Sequence, residues 1–259
     1  MSTLAWIVAL TALGGLASAA VAALFLLLPD GARARLLPHL VSFATGTLLG
    51  AALLALLPHA IAGVADGDGH GIGIALVAGI GFFFALEKLV LWRHCHADHW
   101  DGEAPGEHHR AHASAMLILV GDSIHNALDG VLIAAAFLTD LRLGIVTAIA
   151  TMTHEIPQEV GDFAILLHAG MSRARALAWN LGTSLTSVLG GVLAWFALKT
   201  SLQALPYALA VAAACFLYVA VADLIPGLHR RVGAGASLAQ IGLIAAGIAL
   251  MAFAEGHAH

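Results

Sequence analysis

The sequence predicts an all-α integral membrane protein of eight transmembrane helices, on three observations. Apolar residues make up 60% of the chain and charged residues 10%, with a mean hydropathy of +0.91; a soluble domain carries about 25% charged residues. Apolar stretches near the ~20 residues that a helix needs to cross the hydrocarbon recur along the whole chain. Acids and histidines inside two of those stretches follow a helical spacing, so the polar groups share faces rather than breaking the pattern.

The first span covers residues 4–28 and is ended by Pro29-Asp30-Gly31. The second, 40–62, includes Thr45, Thr47 and His59. A Gly/Asp loop at 63–71 precedes the third, 72–92. A polar loop at 93–113 follows, holding His94, Cys95, His96, His99, His108, His109 and His112. So many imidazoles in a short tract predict metal capture. The fourth and fifth spans, 121–137 and 145–168, are joined by a tight turn at 139–144. The sixth covers 176–198, the seventh 207–225 and the eighth 238–253, all within a single transmembrane domain of residues 1–259.

A net charge of −5, a pI near 6.3 and the lack of a basic run argue against nucleic acid as a partner. The partner implied is the lipid bilayer. Cys95 and Cys215 are far apart and form no disulfide framework. No basic residue precedes the first apolar run, so it does not resemble a secretory signal peptide. One set of connections carries Arg33, Arg35, Arg93, Arg110, Arg173, Arg175, Arg230 and Arg231, the other only Arg142 and Lys199. Lys88 lies near the inner end of the third span, where it can snorkel. The positive-inside rule then places the His-rich loop in the cytoplasm and both termini outside, in a cell (inner) membrane.

The fourth span carries Asp122, His125, Asn126 and Asp129 at offsets 0, +3, +4 and +7. The fifth carries His154, Glu155, Gln158, Glu159 and Asp162 at offsets 0, +1, +4, +5 and +8. With a period of about 3.6 residues each set gathers on one face. Such groups are costly in hydrocarbon unless paired or solvated. Structural polar glue would be Ser, Thr or Asn rather than two His and several acids. Imidazole, carboxylate and amide on two facing helices therefore predict a divalent-cation site. Pro157 removes a hydrogen bond to the Thr153 carbonyl inside this cluster and predicts a bend there. His125-Asn-x-x-Asp129 and His154-Glu-x-x-Gln158 also echo one another on helices of opposite direction, as in an inverted-repeat transporter architecture. His59 and His168 are expected to be satisfied or interfacial histidines, Asp162 and Asp223 to cap or pair near a membrane face, and His257 and His259 to form a tail.

These residues resemble the ZIP (Zrt-, Irt-like protein) family of divalent metal transporters, nearest its histidine-rich branch. The likeness lies in Gly121-Asp122-Ser-Ile-His125-Asn126-Ala-Leu-Asp129-Gly130 and His154-Glu155-Ile-Pro157-Gln158-Glu159-Val-Gly161-Asp162-Phe163. Phe43-Ala-Thr-Gly46-Thr47-Leu-Leu-Gly50, Leu57-Pro58-His59, Phe216-Leu-Tyr218-Val-Ala220 and Asp223-Leu-Ile-Pro226 add to it. The resemblance implies transport of zinc, or of iron or manganese, into the cytoplasm as substrate, with no cofactor and no enzymatic activity. It implies a homodimer, and helices one, four, five and six moving against the other four. His125, Asp129 and His154 match the family's primary ligands. Asn126 and Glu155 match residues at a second, adjacent metal position, with Asp129 able to bridge. Asp122, Glu159 and Asp162 are expected to stand behind these ligands. Where the family has His or an acid, this chain has Gln158, a neutral and weaker ligand, which predicts one tightly held metal. Two rivals come from the residues themselves. His154-Glu155-Ile-Pro-Gln158 is one residue short of the His-Glu-x-x-His helix of a zinc protease, although Gln158 and Pro157 both disturb that geometry. A proton-driven exporter or metal-gated channel would use the same cluster.

Overall fold

A computed structural model describes residues 2–64, 69–96, 107–229 and 234–256. The described residues form eight helices and no strand: α1 (Thr3–Phe25), α2 (Asp30–Ala62), α3 (Gly69–His96), α4 (Glu107–Thr139), α5 (Leu141–His168), α6 (Arg173–Leu198), α7 (Leu202–Leu228, opening on a short 3-10 turn) and α8 (Ala234–Gly256). Six of them are apolar and long enough to cross a membrane; the other two are α4 and α5, whose buried acids and histidines lower their hydropathy. The eight predicted helices are all present, with two differences at the ends. The polar tract at 93–113 is not all loop: α3 continues to His96 and α4 begins at Glu107, leaving 97–106 outside the described residues. Hydropathy marks where the lipid ends, not where the helix does. The turn between α4 and α5 is also shorter than predicted. Asp140 alone separates them and caps α5, its Oδ1 accepting from the Arg142 and Leu143 N–H groups at 2.8 and 3.2 Å. At the far end of α5, Gly170 takes a φ of +86°, and Met171 N–H returns to the Leu166 carbonyl at 3.1 Å. That closure needs a residue without a Cβ penalty and turns the chain directly into α6.

The helices are apolar outward and polar inward, the reverse of a soluble fold. On α6, Leu185, Leu189 and Leu193 are 62–69% exposed, while Thr183, Ser184, Ser187 and Gly191 on the opposite face are buried. In hydrocarbon there is no hydrophobic force between helices, so small residues that permit close packing set the contacts. They tie the helices into two groups. A Cβ on Gly130 would fall on the Ser187 carbonyl, joining α4 to α6, and Gly15 of α1 lies against Ser184. Gly46 meets the Ile244 carbonyl in the same way, joining α2 to α8, while Gly79 of α3 packs on Ala214 of α7. The groups α1/α4/α5/α6 and α2/α3/α7/α8 meet where α2 and α7 lie against α4 and α5.

Both α2 and α7 contain a π-helical segment, Ala51–Leu56 and Val219–Leu224. Leu57 N–H bonds the Ala52 carbonyl and Ile225 N–H the Ala220 carbonyl, five residues back in each case. Each segment runs into a proline, Pro58 or Pro226, whose missing N–H leaves an interior carbonyl free and permits the wider turn. α5, in contrast, continues as one α-helix through Pro157.

The glycine seam makes a direct prediction. Gly130→Ala overpacks α4 against α6 and should lower stability by about 1–3 kcal/mol. Gly242→Ala, which has open space around it, should leave thermal unfolding in detergent unchanged or slightly raised. Equal melting temperatures for the two variants would contradict the packing account.

Candidate metal site between helices four and five

His125 and Asp129 stand one turn apart on α4, and His154 faces them from α5. His125 Nε2 and His154 Nε2 are 3.2 Å apart. Asp129 Oδ2 lies 3.3 Å from His154 Nε2 and 3.6 Å from His125 Nε2. Three donors held at about 2.0–2.1 Å around a tetrahedral ion stand roughly 3.3–3.4 Å from one another. The triangle therefore already has the size of one face of a zinc tetrahedron. Among the described residues this is the one cluster of three or more His, Cys, Asp or Glu whose ligand atoms converge.

Asp129 and His154 are wholly buried. Neither carboxylate oxygen of Asp129 receives a hydrogen bond, and the Asn126 side-chain oxygen is also without a partner. Buried polar groups are nearly always satisfied, so these orphaned acceptors call for a donor or a cation. His154 is oriented for that purpose. Its Nδ1 faces the Ala150 carbonyl at 3.1 Å, which fixes the proton there and turns the Nε2 lone pair toward the site. The ring is packed edge-on by Phe216 of α7 at 5.9 Å between centroids.

The other predicted residues fall at different distances from this centre. Asn126 is held by its own helix, its Nδ2 donating to Asp122 Oδ1 at 2.8 Å, which leaves its oxygen free. Glu155 is buried and its Oε2 accepts from Ser18 of α1 at 3.2 Å. Gln158, Asp122 and Asp162 line a cavity of about 590 Å³ together with His125, Glu87 of α3 and Asp223 of α7. The Gln158 side-chain oxygen has no partner. Glu159 instead turns to α6, its Oε1 accepting from Ser184 at 3.3 Å. His59, expected to be a satisfied histidine, has its Nδ1 2.9 Å from the Ala55 carbonyl and near Glu255. The backbone of His94 and His96 lies on the last turn of α3, and that of His108, His109 and His112 on the first turns of α4; His99 falls outside the described residues.

Access to the centre is one-sided. The cavity is lined by the ends of α2, α3, α4, α5 and α7 that face the connection between α3 and α4. It reaches His125 but neither Asp129 nor His154. On the other side Thr47 of α2 and Thr153 of α5 share a hydrogen bond of 2.6 Å, tying the two helix groups together one residue before His154. Tyr218 donates a short hydrogen bond to Glu87 on the cavity wall.

Sequence reasoning missed Ser18, Asn180 and Ser184, and named Thr47 and Phe216 without assigning them a role at the site. The α6 residues were visible in principle: Asn180, Thr183, Ser184 and Ser187 are spaced 0, +3, +4 and +7, the same pattern that marked α4. Ser18 is a single residue in an apolar run and carries no such signal.

The description "ZIP Zinc transporter" belongs to the family model that matches residues 92–255. Zinc transporter ZIP13 of Pongo abelii is 36% identical over 230 residues, covering 83% of this chain and 66% of its own length. Zinc transporter zipt-7.1 of Caenorhabditis briggsae is 31% identical, covering 93% and 76%. Human zinc transporter ZIP4 is 42% identical over a shorter stretch, 44% of this chain and 18% of its own length. The chain thus spans about two thirds to three quarters of the first two relatives and a smaller part of the third. By the family match and these relatives, the chain belongs to the ZIP zinc transporter family.

Proposed function

We propose that the protein carries divalent transition-metal cations across a membrane, zinc foremost and iron or manganese as further candidates, through the centre formed by His125, Asp129 and His154. The observation that carries this is the ligand triangle with an unsatisfied, fully buried Asp129 at one corner. Imidazole and carboxylate together suit zinc, iron and manganese. Asn126, Glu155 and Gln158 complete the surroundings: Asp129 and Glu155 supply two negative charges, matching one divalent ion in a medium of low dielectric. Before metal enters, the His125 and His154 Nε2 atoms, 3.2 Å apart, are close enough to share a proton. Metal binding displaces that proton, because both imidazoles must offer lone pairs. The zinc protease alternative gains nothing from the geometry, since the imidazole that meets His154 comes from α4 and not from a second His on α5.

Transport is directed toward the cytoplasm. The arginine distribution puts the α3–α4 connection inside and both termini outside, and the cavity beside His125 opens toward that connection. In this orientation the cavity opens to the cytoplasm, and the Thr47–Thr153 hydrogen bond lies on the far side of His154. The glycine seams within each helix group support α1, α4, α5 and α6 moving as one body against the others. The matching π turns in α2 and α7 support an inverted repeat, and a homodimer in the bilayer is the expected assembly. The histidines near the connection, His94, His96, His99, His108, His109 and His112, gather metal after release.

His125→Ala, Asp129→Ala and His154→Ala should each abolish zinc uptake into proteoliposomes while leaving insertion intact. Normal uptake by all three would sink the assignment. In the metal-free protein, nitrogen-15 NMR should find the His154 proton on Nδ1; a proton on Nε2 alone would contradict the orienting role of the Ala150 carbonyl. Gln158→His should tighten zinc binding by about tenfold, or about 1.4 kcal/mol. Unchanged affinity would show that Gln158 does not reach the metal.

A further inference from the structure

We infer that a second cation site, built from oxygen alone, lies within the α1/α4/α5/α6 group, where Glu159, Asn180 and Ser184 meet beside Asp122. It goes beyond the transport centre and does not require it. Asn180 is wholly buried, yet neither its side-chain oxygen nor its nitrogen has a hydrogen-bond partner. Glu159 is 2% exposed and its Oε2 is likewise unpartnered. Its other oxygen is poorly served. Ser184 Oγ lies 3.3 Å from Glu159 Oε1 and 2.9 Å from the Asn180 carbonyl, and a hydroxyl has one proton for these two acceptors. Thr183 also donates to the Asn180 carbonyl at 2.8 Å, so the α6 backbone there is already satisfied. What remains unsatisfied is the set of side-chain oxygens. Asn180 and Ser184 lie one turn apart on the same face of α6, the face that meets α4 and α5.

A buried carboxylate oxygen and a buried amide without partners cost several kcal/mol in such surroundings. A cation removes the cost on the oxygen side by binding the carboxylate oxygen and the amide oxygen together. The donors are carboxylate, amide carbonyl and hydroxyl, with no imidazole and no thiolate, which selects a hard ion of the magnesium or manganese kind over zinc. Charge agrees as well. Glu159 and the neighbouring Asp122 of α4 bring two negative charges for one divalent ion. Asp122 also lines the 590 Å³ cavity, the same one that reaches His125. The chain then offers two neighbouring sites of different softness: imidazole-rich between α4 and α5, oxygen-only between α4, α5 and α6.

The test uses the full chain in detergent, first saturated with zinc and then titrated with Mn2+ followed by electron paramagnetic resonance. The zinc-saturated wild type should retain a single tightly bound manganous ion. Asn180→Leu and Glu159→Gln should weaken that binding by at least about tenfold. Asn180→Asp, which keeps the shape and adds a charge, should strengthen it, with zinc stoichiometry unchanged in both Asn180 variants. No retained Mn2+ in the zinc-saturated wild type would overturn the inference, and so would equal Mn2+ affinity in all three variants. Loss of zinc from the wild type itself would count against the His125/Asp129/His154 centre alone.

Discussion

A carboxylate at the centre of an apolar bundle has to be neutralised, and the rest of this structure follows from how Asp129 is. Moving such an ion into a medium of low dielectric costs of order 20 kcal/mol in the idealised limit and several kcal/mol after relaxation. Asp129 has no hydrogen-bond donor on either oxygen. Among the described residues its ion-pair partners are His125 and His154, whose Nε2 atoms are the ones offered to a metal in the proposed site. In the proposed function this group is satisfied when a cation occupies the triangle. This turns an energetic defect of the fold into a binding energy for the ion.

The same constraint explains why the packing is divided. Close glycine contacts fix α4 to α6 and α2 to α8, so each group is stiff within itself. Between the groups the contacts are of another kind: a threonine pair, the edge of a phenylalanine ring, and an open cavity lined by carboxylates. A carrier needs both properties. In the proposed mechanism rigid pairs would keep His125, Asp129 and His154 in register, while a weak and partly polar seam would let one group slide on the other without exposing backbone to lipid.

Much of this was legible in the sequence, for physical reasons that differ from residue to residue. Lipid admits only helices here, so composition and span length fixed the architecture early. The triad was readable because acids and imidazoles in hydrocarbon are expensive and stand out against it. The helix ends were less readable: α3 and α4 extend past their apolar segments to His96 and from Glu107, where hydropathy carries no helical signal. Pro157 was expected to disturb α5, yet the structural departures lie at Pro58 and Pro226, each behind a π segment. Ser18 was invisible, because a lone hydroxyl in an apolar helix can bond its own backbone, and Thr47 was visible as a motif residue but not as a contact. Their partners, Glu155 and Thr153, come from another helix and required the fold.

The central claim is that one zinc ion binds the two imidazoles and the buried carboxylate between α4 and α5. The most direct measurement is zinc K-edge X-ray absorption of the purified, zinc-loaded chain, alongside Asp129→Asn and His154→Ala. The account predicts two imidazole nitrogens and carboxylate oxygen at about 2.0–2.2 Å in the wild type. It also predicts loss of one imidazole in His154→Ala and loss of tight zinc in Asp129→Asn. A wild-type spectrum without imidazole scattering, or one unchanged by either substitution, would contradict it.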